Sequence, residues 1–190
     1  MQTKKVITIL ISIISFFMLT GFFGGDKSPK EERKEILNMR QVTLNKLYQI
    51  LPGSKAVVEK SVGYAVFSNV GINLLVVSTA NGSGVARDKK NGKDIYMKMF
   101  SAGVGIGAGV KDFRGVFVFS TQDAFNNFVN KGWDANAQGD AAAKSGNKGD
   151  ALAAAIDVGP GIKLYQITEA GIVLQATIQG TKYWKDDDLN

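Results

Sequence analysis

At Gly63 the period of the apolar residues changes from helical to strand-like, and that change points to the fold class. Before it, Ile36, Leu37, Leu44, Leu47, Tyr48 and Leu51 fall within an arc of ~120° on a helical wheel, a stripe that faces a core. Ser28 can cap this helix, Pro29 suits its first turn and Glu31 completes a capping box, so a helix is predicted over residues 28–51. Pro52-Gly53 ends it, and Ser54 opens a short second helix through Val57, Val58 and Lys60. After Gly63 the pattern is β-branched and aromatic, with strands expected at 63–68, 72–80, 112–119, 133–143, 152–158, 162–167 and 171–180. Asn81-Gly82 and Asn91-Gly92 read as hairpin turns, since Asn-Gly supplies two positive φ angles. A two-residue loop at the second would set Lys89 opposite Asp94 and Arg87 opposite Tyr96. Ser120 with Asp123 signals a third helix, with Phe125, Phe128 and Val129 inward and Gly132 at its end. Residues 144–150 read as a loop. The expected fold is α+β: N-terminal amphipathic helices packed on a curled or barrel-like, mostly antiparallel β-sheet of about nine to ten strands.

Two absences narrow the chemistry. No Cys means no disulfide, thiolate nucleophile or Cys-ligated metal. No His removes the Ser-His-Asp triad and the usual base near neutral pH. The carboxylates left for acid–base work, such as Asp112, Asp123, Asp157 and Glu169, have no recognisable partner at useful spacing, so the chain reads as a non-enzyme without cofactor or metal.

Charge is unevenly placed. The net charge is +6, yet residues 61–190 hold thirteen Lys/Arg against twelve Asp/Glu, while residues 26–60 hold eight against five. A nucleic-acid binder carries its basic stripe through the domain, so none is expected as a partner. A basic segment beside a membrane-directed leader fits a lipid surface better. The leader is residues 1–25: Lys4 and Lys5, then an uncharged run at 6–23. It reads as a secretory signal, or as an uncleaved anchor, since no good small-x-small cleavage site precedes Asp26. Leu19-Thr20-Gly21-Phe22 is like a lipoprotein signal with Phe where the lipidated Cys would stand. The expected location is therefore the periplasm or cell envelope, with residues 26–190 as one domain.

Three apparent motifs have plainer readings. Gly103, Gly105, Gly107 and Gly109 recur every two residues, unlike the G-x-G-x-x-G of a dinucleotide site, and would give one strand a bare face. Asp134-Ala135-Asn136-Ala137-Gln138-Gly139-Asp140 begins like a calcium loop, but its twelfth position is Ser145. Asp186-Asp187-Asp188 reads as a solvated tail.

In order and spacing, Gly63-Tyr64-Ala65-Val66-Phe67-Ser68-Asn69-Val70, Gly84-Val85, the stretch 96–109, Asp123-Ala124-Phe125 with Phe128, and Ala170-Gly171 through Gly180-Thr181-Lys182 resemble the SYLF domain. The resemblance covers about residues 30–184, and departs from the family's pattern at Ser68 and at Asn73-Leu74-Leu75-Val76-Val77. It implies a non-enzymatic, membrane-associated module that contacts lipid through an N-terminal amphipathic segment. Eukaryotic members are linked to phosphoinositides, fungal ones to actin, and bacterial ones are exported.

The segment that corresponds here is the helix at 28–51. Lys27, Lys30, Arg33, Lys34 and Arg40 are the candidate contacts to an anionic phospholipid membrane, each worth ~1 kcal/mol close to the surface. Glu31, Glu32 and Glu35 are interleaved among them, and the same helix could instead simply pack on the sheet. Arg40 projects into the apolar arc, as a carboxylate-paired or snorkelling side chain or as a phosphate contact. The other readings are a protein-interaction or envelope-structural module with a protein partner, and a carrier of a small apolar ligand.

Overall fold

The computed structural model describes residues 27–74, 77–104, 109–134, 154–168, 171–173 and 181–190. The chain divides into two compact units, Met1–Glu32 and Arg33–Asn190. The predicted leader and the calcium-like loop beyond Asp134 lie outside the described residues.

In the first unit the capping box forms as the sequence predicts. The Glu31 amide donates to Ser28 Oγ at 3.4 Å, and the Ser28 amide and hydroxyl donate to Glu31 Oε2 at 3.0 and 2.7 Å. Those bonds to Ser28, with Lys27 nearby, hold the Glu31 carboxyl below its ordinary pKa. Helix α1 runs Pro29–Ile50 and α2 runs Gly53–Lys60. No described helix is long and apolar enough to cross a membrane.

The strands are β1 (Gly63–Leu74), β2 (Val77–Asp88), β3 (Asp94–Val104), β4 (Gly109–Phe119), β5 (Trp133–Asp134), β6 (Ile156–Gly159), β7 (Ile162–Thr168), β8 (Gly171–Val173) and β9 (Thr181–Lys185), with α3 (Gln122–Lys131) between β4 and β5. Among the described residues all nine strands join one curled, half-barrel sheet, ordered β5-β9-β3-β2-β1-β4-β7-β6 with β8 on β7, and each pairing is antiparallel.

Both faces of the central strands β1 and β4 are covered. Phe67, Phe117 and Phe119 pack with Phe125, Phe128 and Val129 of α3, and with Met97, Trp133 and Tyr183. Rings there lie edge-on, with Phe67–Tyr183 centroids 4.7 Å apart and Phe119–Phe125 5.3 Å apart. On the opposite face Val66, Val116, Val118 and Tyr165 meet Leu44 and Leu47 of α1 and Val58 of α2. Burial on both sides is why residues 64–67 and 116–119 read as continuous apolar runs rather than alternating ones. The third helix forms with Phe125, Phe128 and Val129 inward and Gly132 ending it at φ 74°, but its cap is Thr121 rather than Ser120: the Ala124 amide donates to Thr121 Oγ1, while Ser120 Oγ donates to the Gly161 carbonyl.

Four other expectations are corrected. Asn81-Gly82 is not a turn: it lies mid-strand in β2, opposite Val70 and Asn69 of β1 and Phe100 and Met99 of β3. Pairing on both sides of a twelve-residue strand outweighs the local preference of an Asn-Gly pair. The turn at Asn91-Gly92 is real, with Gly92 at φ 71°, but its loop is longer, and Arg87, not Lys89, stands opposite Asp94. The Asp88 carboxylate accepts from the Lys90 amide and the Gly92 amide donates to the Asp88 carbonyl, which sets that register. The glycine run is not one strand either, for Gly103 belongs to β3 and Gly109 opens β4. Finally, Asp186 is buried rather than solvated, because it pairs with Lys98.

Candidate functional site: the basic helix and the tail that fastens it

The five predicted cations fall into two groups. Lys27, Lys30 and Lys34 are exposed. Arg33 and Arg40 are partly buried and engaged within the second unit. Arg33 Nε donates to the Leu189 carbonyl at 2.9 Å, and its guanidinium lies 5.9 Å from the Tyr96 ring centroid. Arg40 Nη1 donates to Asp94 Oδ1 at 2.7 Å, and Arg87 Nη1 approaches the same oxygen at 3.2 Å. Arg40 thus takes the carboxylate-paired role.

Ile36, Thr43, Leu44 and Leu47 are the buried residues of α1, so its apolar stripe is occupied by the sheet. Val42 and Ile50 stay exposed on the outward side.

Sequence reasoning missed what fastens the helix. Leu189 inserts beside Ile36, Val85 and Tyr96 and is 2% exposed. Around it the segment 186–190 is tied to β3. The Asp186 amide donates to the Tyr96 carbonyl at 3.0 Å, the Tyr96 amide donates to Asn190 Oδ1 at 3.1 Å, and Asn190 Nδ2 donates to the Tyr96 carbonyl at 2.8 Å. Lys98 Nζ reaches Asp186 Oδ1 at 3.0 Å and Asp188 Oδ2 at 2.9 Å. Donating to the carboxylates of Asp188 and Asp186 raises the Lys98 pKa above the ordinary lysine value. Burial, with Asp94 adding to it, raises that of Tyr96. The one sequence signal for this tail was Leu189, a lone apolar residue behind three carboxylates.

A second missed feature is aromatic. Phe100 and Trp184 are exposed on β3 and β9, while Met99 and Tyr183, their neighbours in sequence, are buried. Strand alternation through Thr181, Lys182, Tyr183 and Trp184 was the available signal.

No protein-family model matches the chain. It is similar to Beta cell expansion factor A of Aeromonas veronii, at 39% identity over 163 residues, which cover 86% of this chain. The match spans 60% of that relative's length.

Proposed function

We propose that this chain is an exported, non-enzymatic module of the SYLF type that associates with anionic phospholipid membranes at the cell envelope. The observation that carries this reading is the exposure of Lys27, Lys30 and Lys34, which follow the uncharged run at 6–23 in sequence. With the apolar stripe of α1 seated on the sheet, the attraction is electrostatic. Three lysines near an anionic surface supply about 3 kcal/mol, fading as salt shortens the screening length. Arg33 and Arg40, held by Leu189 and Asp94, position the helix. The test is co-sedimentation of residues 26–190 with neutral and anionic vesicles at low and high salt. Binding that needs anionic lipid, weakens with salt and is lost when Lys27, Lys30 and Lys34 become Gln supports the reading. No binding under any condition defeats it.

A second reading rests on the 39% identity: the chain shares the effect on beta cells for which its relative is named. Purified protein added to cultured beta cells, with cell number as the readout, tests it.

A further inference from the structure

Where the end of α2 meets β4 and the β6–β7 hairpin, the second unit contains an open cleft of about 470 Å³. Its volume lies within the ~300–1,000 Å³ of small-molecule sites. Val57, Val118 and Ile162 supply its apolar lining, and Lys60, Lys163 and Asp157 its charge. The sheet register builds this arrangement, because Lys163 stands between Val118 of β4 and Asp157 of β6.

The charges are not equivalent. Lys163 Nζ lies 2.7 Å from Asp157 Oδ1, so these two neutralise each other. Among the described residues Lys60 has no ion-pair partner, which leaves the cleft with one uncompensated positive charge. The polar groups beside it are already satisfied. Ser61 Oγ donates to the Val58 carbonyl at 2.7 Å, and Ser120 Oγ donates to the Gly161 carbonyl at 3.3 Å. Lys89 Nζ donates to the Val58 and Glu59 carbonyls, so the negative end of α2 is covered and does not repel an anion.

With Ser61 and Ser120 engaged by backbone carbonyls and Lys163 by Asp157, the cleft offers few free groups to the hydroxyls of a sugar, and a single excess cation matches a monoanion better than a phosphate dianion. From this we infer that the cleft binds a single-chain fatty carboxylate, with its hydrocarbon against Val57, Val118 and Ile162 and its carboxylate at Lys60. This site shares no residue with the set Lys27, Lys30 and Lys34.

The probe is dodecanoate, kept below its micelle concentration and titrated into the full chain, with methyl-resolved NMR as the readout. The expected result is saturable shifts of the Val57, Val118 and Ile162 methyls, and weaker binding of dodecanol, the neutral analogue. Lys60→Gln should weaken dodecanoate by about two- to fivefold, with Lys60→Glu weaker still and dodecanol unchanged in both. Lys60 is exposed, so neither variant threatens the fold. Equal affinity for dodecanoate and dodecanol, insensitivity to both substitutions, or shifts confined to other residues would each overturn the inference.

Discussion

Arg33 and Leu189 are joined by a hydrogen bond of 2.9 Å, from the guanidinium Nε to the backbone carbonyl, across 156 residues of sequence. The bond sets the Leu189 side chain beside Ile36. Leu189→Ala should therefore cost about 2–4 kcal/mol, as for other buried leucines. It should also speed hydrogen exchange in α1 more than in α3. Denaturant unfolding and residue-resolved exchange check both, and equal protection of α1 in variant and parent would refute the fastening role.

Asp94 serves two guanidiniums unequally, with Arg40 closer and the less exposed of the two. Arg40→Gln should cost about 1–2 kcal/mol. A double-mutant cycle with Asp94→Asn should return a coupling of about 1 kcal/mol, larger than the same cycle for Arg87. Vesicle binding should change little in Arg40→Gln compared with Lys34→Gln.

Two strand glycines should respond oppositely to alanine. A Cβ at Gly84 would stand 2.3 Å from Phe67 Cδ1 and 2.4 Å from the Val66 carbonyl oxygen, which is backbone and cannot step aside. At Gly115 the nearest atom, Leu164 Cδ1, is 3.4 Å away. Gly84→Ala should lose about 3 kcal/mol or fail to accumulate folded, while Gly115→Ala should stay within about 1 kcal/mol of the parent. Thermal melts of the pair decide it.

Burial pushes the Tyr48 hydroxyl up to about 12, with Tyr64 and Glu59 adding to the shift. Its folded value exceeds its unfolded one, so its contribution is complete below the ordinary value of 10 and is lost as pH rises towards 12. Stability should decline above pH ~10. In Tyr48→Phe that part of the decline should vanish, as read from unfolding curves at stepped pH.

How far the sequence carries can be read from individual residues. Ser28 with Glu31, the stripe from Ile36 to Leu47, and Phe125 with Phe128 are local signals, and each holds in the structure. Asn81-Gly82 misleads because its fate is decided by β1 and β3 on either side, which a local pattern does not report. Asp186 misleads for the same reason, since its partner Lys98 lies far off in sequence. Of the five candidate lipid contacts, all were legible as cations. Whether a cation faces outward or closes an internal pair depends on Asp94 and Leu189, to which no spacing rule connects α1.

The place of Leu189 also orders events in time. A chain emerging from the ribosome completes α1 early, but the residue that seats Ile36 against β3 arrives some 150 positions later. Contacts of such separation form late, after the entropy of closing the loop has been met. Until the stretch from Thr181 to Leu189 has been synthesised, the N-terminal helix has only part of its seat. Of the described helices, the one made first is thus the one whose docking finishes last.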